Sequence, residues 1–128
     1  MKFEMKMDPP LRIGMLTPSS NTVVEPVVAD MLASLPEVTA HAARLRVTEI
    51  SLTNKSQSQF AMETMLAAGD LLADAQVGIM GWNGTSASWL GFDLDQRLCD
   101  AMTTRFSVPA TSAVLAINEL LETLGCQR

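Results

Sequence analysis

The sequence holds few of the residues from which metal and disulfide sites are built. Its 128 residues include one histidine, His41, and two cysteines, Cys99 and Cys126, which have no metal-ligand spacing. A zinc site and a disulfide framework are therefore not expected. No stretch is apolar for long enough to span a bilayer. The net charge is −5 and Lys2 and Lys6 do not form a basic run, which argues against nucleic acid or an anionic membrane as the partner.

The composition is that of one globular domain. Apolar residues make up 48% of the chain, and this length is enough to bury a hydrophobic core. Residues Met1–Pro10 alternate methionine with charges and lack an apolar signal core. We therefore predict a flexible N-terminal lead-in over 1–10, a single domain over 11–128, and a cytoplasmic location.

Short apolar runs alternate with segments of helical periodicity in the order β-α-β-α-β-α-β-α. The predicted strands are Leu11–Leu16, Val38–Val47, Val77–Trp82 and Val108–Thr111, and the predicted helices end near Ser34, Ala75, Phe106 and Leu124. The second helix is predicted to start at Gln59 after a loop over Thr48–Ser58, and the third at Asp93 after a loop over Asn83–Gly91. This alternation predicts a flavodoxin-like α/β fold, an open parallel four-stranded sheet with helices on both faces.

The end of the sequence is unusual for this pattern. Gly125 is a natural helix stop, and only three residues follow it. In α/β proteins the chain normally continues from such a turn into the next strand. We expect either a half-length or truncated protein or a natural C-terminus after a terminal helix.

Two loops rich in small polar residues follow the first and third predicted strands, at Thr17–Thr22 and Asn83–Ser88. Ligands of open parallel sheets bind beyond the carboxyl ends of the strands, and strands one and three are neighbours in a flavodoxin-like order. Hydroxyls, an amide and backbone N–H groups would form a cation-free cradle for a carboxylate or a phosphate. Gly84 allows close backbone approach or a positive φ. Neither loop is a Walker or dinucleotide-binding motif, which disfavours a nucleotide.

The same residue types have a structural interpretation. Serine, threonine and asparagine at βα junctions are ordinary N-caps and turn residues, so capping is the better interpretation of either loop alone. The presence of both loops at adjacent strand ends favours a site. The remaining candidates have structural interpretations. Trp82 and Trp89 are expected to pack, and Cys99 is expected to be a buried thiol. No catalytic partner is visible for His41 and no activating group for Cys126. Asp93, Asp95 and Asp100 are interpreted as charges at a helix start and on a solvated face.

The motifs resemble those of one enzyme superfamily. The segment Arg12–Thr22, with Glu25 and Pro26, is similar to the opening of maleate cis–trans isomerases. Gly84–Ser88, followed by Gly91, resembles the corresponding loop of arylmalonate decarboxylases. Val108–Thr111 and Leu121–Gly125 also follow the pattern of this aspartate/glutamate racemase superfamily.

The resemblance implies a two-domain enzyme of which this chain is the first half. Such enzymes place the active site in the cleft between two similar α/β halves. Racemases and the isomerase carry a cysteine in each half, whereas the decarboxylase has a glycine in the first half and its only catalytic cysteine in the second. Gly84 stands at the first cysteine position here, so the resemblance implies no catalytic residue in this chain.

The implied activity is cofactor-independent isomerisation, decarboxylation or racemisation of a small mono- or dicarboxylate through an enediolate or carbanion-like intermediate. Thr85 and Ser86 would form the pocket that stabilises the developing charge, and Asn21 would contact a carboxylate. Together with their sequence neighbours, the residues expected to bind substrate are Ser20, Asn21, Asn83, Gly84, Thr85 and Ser86. No metal is implied, and the isolated chain is expected to be inactive.

Two other hypotheses remain. One is a non-catalytic carboxylate-binding module that associates with itself across a two-fold axis, mimicking the two-domain cleft. The other is a flavodoxin-like receiver or nucleotide module. The latter requires an acidic pocket or a phosphate motif at the strand ends, and neither is evident.

Overall fold

The computed structural model describes residues 9–46 and 55–127, with the side chains of all of these except 55–60 and 89. Strands and helices alternate as predicted. The elements are β1 (Leu11–Pro18), α1 (Val24–Leu32), β2 (Val38–Leu45), α2 (Lys55–Asp74), β3 (Ile79–Trp82), α3 (Ala87–Leu90), α4 (Asp93–Phe106), β4 (Ala110–Ser112) and α5 (Ala113–Thr123).

The four strands form one parallel sheet in the order β2-β1-β3-β4. Its central pair is β1 and β3, with Leu16 opposite Trp82. The flavodoxin-like fold predicted from the sequence is thus confirmed, including the adjacency of strands one and three. Since all strands run the same way, their carboxyl ends meet at one edge of the sheet.

The element boundaries differ from the prediction at a few places. β1 continues to Pro18, and α2 already includes residues 55–58, which were predicted as loop. The segment Asn83–Gly91, predicted as a loop, contains the one-turn helix α3, which a run of glycine, serine and threonine does not suggest. Residue 47 of the predicted second strand, residues 48–54 of the predicted loop, and residues 1–8 of the predicted lead-in lie outside the described residues.

The main core lies on the face of the sheet that carries α2 and α4. Alternate residues of each strand point to this face, as the two-residue period of a strand requires. Leu16, Met80, Leu98 and Met102 are at most 1% exposed. Leu98 and Met102 belong to α4, and they share one core cluster with residues of α2 and with Leu16, Met80 and Trp82 of the sheet. This layer positions β3 and the start of α4 firmly.

The packing of α1 and α5 is much lighter. No residue of α1 is buried, and Val114 is the one buried residue of α5. A groove of about 420 Å³ runs between α1 and the small side chains Ala40 and Ala42 of β2. Large apolar side chains remain exposed on or beside these two helices: Val23, Val27, Met31, Leu35, Ile117, Leu120, Leu121 and Leu124.

None of the helices in the described part of the chain is both long and apolar enough to cross a membrane.

Candidate functional site

The two polar loops lie side by side at the carboxyl edge of the sheet. The backbone N–H of Asn83 donates to the carbonyl oxygen of Leu16 at 2.9 Å, so the chain leaves β3 directly beside the end of β1. Ser112, the last residue of β4, pairs with Trp82 on the other side of β3. Three neighbouring strand ends therefore contribute to one polar region.

The first polar loop (Thr17–Thr22) is a tight turn whose asparagine side chain bonds the backbone at the start of α1, where Val23 occupies the N-cap position. Asn21 Oδ1 accepts hydrogen bonds from the N–H groups of Val23 at 2.9 Å and Val24 at 3.0 Å. Asn21 N–H in turn donates to Pro18 O at 3.0 Å. The capping interpretation therefore accounts for Oδ1, while Asn21 Nδ2 lies outside the cap and remains a donor suited to a carboxylate.

A cation that the sequence analysis missed lies against this loop. Arg44, near the end of β2, donates through Nη1 to the carbonyl oxygens of Ser19 at 3.1 Å and Asn21 at 2.6 Å. Its Nη2 forms an ion pair with Glu25 of α1. The expectation of a cation-free cradle was wrong, because β2 runs beside β1 with Arg44 opposite Thr17. Only the strand pairing reveals this proximity.

The second polar loop (Asn83–Ser88) forms a tight turn that leads into α3. Ser88 donates to Thr85 O through both its hydroxyl, at 2.6 Å, and its N–H, at 3.1 Å. Leu90 N–H donates to Ser86 O at 3.0 Å. These bonds leave Thr85 exposed and Ser86 half-buried at the tip of the turn. Their hydroxyls are thus held by backbone that is already ordered.

Glycine is needed at position 84 because a side chain would not fit there, and not because of its backbone conformation. It is buried, and a Cβ at this position would overlap the indole ring of Trp82, itself 2% exposed. The described glycines with positive φ are Gly91 and Gly125, so of the two alternatives given for Gly84 a close approach applies and a positive φ does not. Trp82 packs in the core, as predicted, and also fills the volume that a side chain at 84 would need.

Three buried polar atoms at this edge have no hydrogen-bond partner within the described residues. They are Thr17 Oγ1, Asn83 Nδ2 and Asp95 Oδ2. Thr17 and Asn83 each follow the Leu16–Trp82 pair on adjacent strands. Buried polar groups of native proteins are nearly always hydrogen-bonded, to protein or to water. Their concentration below the two loops therefore indicates a polar site at this edge.

Asp95 corrects the sequence analysis. It was assigned to a solvated face of α4, but it is 2% exposed. It lies three, four and seven residues before Leu98, Cys99 and Met102, so it belongs to the buried stripe of that helix. Burial raises the pKa of its carboxyl group, while a hydrogen bond with the Ser112 side chain acts in the opposite direction.

The other singled-out residues have structural surroundings. Nε2 of His41 lies 2.9 Å from Thr39 Oγ1 on an exposed part of β2. Cys99 is buried, as predicted, and burial together with the charges of Asp95 and Asp100 raises the pKa of its thiol to about 11. Cys126 is exposed.

The Trp89 side chain lies outside the described residues. Among the side chains that are described, no group of three His, Cys, Asp or Glu residues converges to hold a metal ion.

Comparison with known proteins identifies the fold. No protein-family model and no curated protein matches the chain. A structure of unliganded arylmalonate decarboxylase is similar over 90% of this chain, with a TM-score of 0.71 and 22% identity. Another structure of arylmalonate decarboxylase is similar over 89%, with a TM-score of 0.67 and 23% identity.

This chain therefore has the fold of one half of arylmalonate decarboxylase. The matched regions cover 47% and 46% of those two chains, so this chain spans about half their length.

Proposed function

We propose that this chain is the carboxylate-binding first half of a cofactor-independent enzyme of the aspartate/glutamate racemase superfamily. The complete enzyme would decarboxylate, isomerise or racemise a small mono- or dicarboxylate through an enediolate or carbanion-like intermediate. The observation that carries the proposal is that the two polar loops meet at the end of β1 and β3, in a fold shared with half of arylmalonate decarboxylase. The candidate carboxylate site is the set Ser20, Asn21, Asn83, Gly84, Thr85 and Ser86.

The chemistry of this site suits a substrate on which negative charge shifts between oxygens. Asn21 Nδ2 and the hydroxyls of Thr85 and Ser86 are neutral donors. Donors that are held in place before the reaction stabilise charge where it develops, because no reorganisation is needed at that moment. The Arg44–Glu25 pair adds a fixed cation behind the first loop without offering its charge directly to the ligand.

The nucleophile or proton donor would come from a second α/β half. Gly84 provides no reactive group, and Trp82 occupies the space that a side chain there would need. Cys99 is buried with a raised thiol pKa, so it is a poor source of thiolate. We therefore expect the 128-residue chain alone to bind a carboxylate without turning it over.

Titration of the isolated chain followed by amide NMR tests the proposal. Malonate, phenylmalonate and maleate should shift the resonances of residues 20–21 and 83–86, whereas AMP should not. Asn21→Ala and Thr85→Ala should weaken these shifts, and the exposed Ser34→Ala serves as a control. Shifts with AMP but with none of the carboxylates would overturn the ligand assignment. Turnover that persists in a Cys99→Ala, Cys126→Ala double variant would disprove the need for a second half.

A second candidate is a self-associating, non-catalytic carboxylate-binding module. It is favoured by the exposed apolar side chains on α1 and α5, because contiguous apolar surface often marks an interface. The partner in this hypothesis is a second copy of the chain. Light scattering at rising concentration should then report a dimer, whereas a monomer throughout would count against it.

A further inference from the structure

A small cavity lies directly beneath the second polar loop. It is bounded by β3, α2 and α4, and its volume, measured for the centre of a water molecule, is about 10 Å³. This is about the space that one water molecule requires. Most of its described lining is methionine, leucine and alanine, and Ser86 and Asp95 are the lining residues that carry a hydroxyl and a carboxyl group. These two side chains are the candidate hydrogen-bond partners of a water in the cavity.

Asp95 presents an unsatisfied oxygen in this region. Its side chain is 2% exposed, and Oδ2 has no partner within the described residues. The carboxyl group does bond with the Ser112 side chain. Ser112 Oγ already accepts from Leu115 N–H at 3.2 Å, so its single proton is directed to Asp95. That arrangement fixes one carboxyl oxygen and leaves the other to satisfy its hydrogen bonding elsewhere.

We propose that Asp95 is a positioning residue that holds Ser86 of the candidate carboxylate site through one water molecule in this cavity. The inference rests on the proposed function, since it assigns Ser86 a task in ligand binding. Asp95 does not touch the ligand. It connects Ser86 to Ser112, and through Leu115 to the first turn of α5.

The direction of the hydrogen bonds gives the arrangement its effect. An ionised carboxyl group only accepts hydrogen bonds. The water then donates one proton to Asp95 and can donate the other to Ser86 Oγ. Ser86 retains its own proton, which it can donate outward to a ligand carboxylate. A group anchored in the core thereby orients a donor at the surface before the ligand arrives.

The first test needs neither a ligand nor a variant. A high-resolution crystal structure of the chain should show an ordered water within hydrogen-bond distance of both Asp95 Oδ2 and Ser86 Oγ. A dry cavity, or one filled by a side chain, overturns the inference. If the chain fails to bind malonate, the proposed function fails, and this measurement still decides the water bridge.

The second test is a double-mutant cycle on malonate binding. Asp95→Asn keeps the shape of the side chain but turns a donor towards the water. It should weaken binding about tenfold, the loss expected for one hydrogen bond to a charged ligand. Ser86→Ala should weaken binding similarly, and the double variant should bind no worse than Ser86→Ala alone, because Asp95 acts through Ser86.

Asp93→Asn is the matched control. It removes one charge from an exposed residue of the same helical turn and should leave the affinity for malonate unchanged. Additive losses in the double variant, or unchanged affinity in Asp95→Asn, would refute the positioning role.

Discussion

Arg44 Nη1 donates to the backbone carbonyl oxygen of Asn21 at 2.6 Å, so the edge strand β2 holds the turn that carries the candidate ligand donor. The same nitrogen reaches Ser19 O. Because both bonds go to main-chain atoms, the guanidinium on β2 helps to orient the first polar loop whichever side chains the loop itself carries.

Replacement of Arg44 by glutamine should loosen the loop at a modest cost in stability. The ion pair with Glu25 is partly exposed, with side-chain exposures of 38% and 40%, so most of its charge interaction is screened by solvent. We expect about 1 kcal/mol less unfolding free energy, chiefly from the lost carbonyl bonds. Urea unfolding would measure this. Arg97→Gln, which removes a guanidinium bonded only within α4 at Asp93 O among its described contacts, should change stability by less than half as much.

Substitutions of Asn21 can separate its capping role from ligand binding. Aspartate retains an oxygen that accepts from Val23 and Val24, so Asn21→Asp should fold about as stably as the unmodified chain. It replaces the donor Nδ2 with a charged oxygen, which repels a carboxylate, and malonate binding should be lost. Asn21→Ala should lose the cap as well, costing about 1 kcal/mol. If Asn21→Asp binds malonate normally, Asn21 has only the capping role.

A side chain at position 84 should destabilise the fold. The Cβ of alanine or cysteine would overlap the Trp82 indole, and forcing extra volume into a packed core costs about 1–3 kcal/mol. Gly81→Ala is the matched control, since a Cβ there meets only Thr111 O at 4.0 Å. Thermal unfolding should show a drop for Gly84→Ala well beyond that of the control. Equal effects at the two positions would contradict the proposed clash.

The two cysteines should differ sharply in reactivity. With a pKa of about 11, about one Cys99 thiol in a thousand is ionised at pH 8, and the group is also buried. Cys126 is exposed. A disulfide reagent should therefore label one thiol per folded chain rapidly and the second only after denaturant is added. Rapid labelling of both thiols, with Cys126→Ser leaving one fast thiol, would disprove the buried setting of Cys99.

Asp95 should make the fold more stable at acidic pH than at neutral pH, as far as this one group is concerned. Burial raises its folded-state pKa above the ordinary value of 3.8, so the folded chain binds the proton more tightly than the unfolded chain. The stabilisation from protonation is complete below pH 3.8 and is lost as the pH rises through the folded-state pKa. Relative to Asp95→Asn, the unmodified chain should gain stability as the pH falls across this window. A difference independent of pH would refute the shift.

The fold could be predicted largely from the sequence because its signals are local. Short strands of three to eight residues alternate with helices, and Asp93–Phe106 was placed to the residue. Strand order then followed from the topology common to such alternation. The elements that were missed have weak local signals: α3 is one turn long, and the start of α2 is polar.

The candidate site was predictable only in part, because its remaining members are set by contacts distant in sequence. The polar loops are visible as motifs, whereas Arg44 reaches Asn21 across 23 residues and requires the β1–β2 register. Asp95 was misjudged for a different reason. Its helical spacing with Leu98 and Met102 marks it as inward-facing, but its charge suggested a solvated face, since carboxylates are rarely buried without partners.

The contact between Gly84 and Trp82 also constrains how this half-site could change over evolutionary time. A cysteine acquired first at position 84 meets a full-sized indole, while a smaller residue acquired first at position 82 leaves a hole in the core that Trp82 now fills. Either substitution alone gives a less stable protein. The two together avoid both the overlap and the hole. In an enzyme of the proposed kind, a cysteine at position 84 would therefore have to arise together with a smaller residue at position 82.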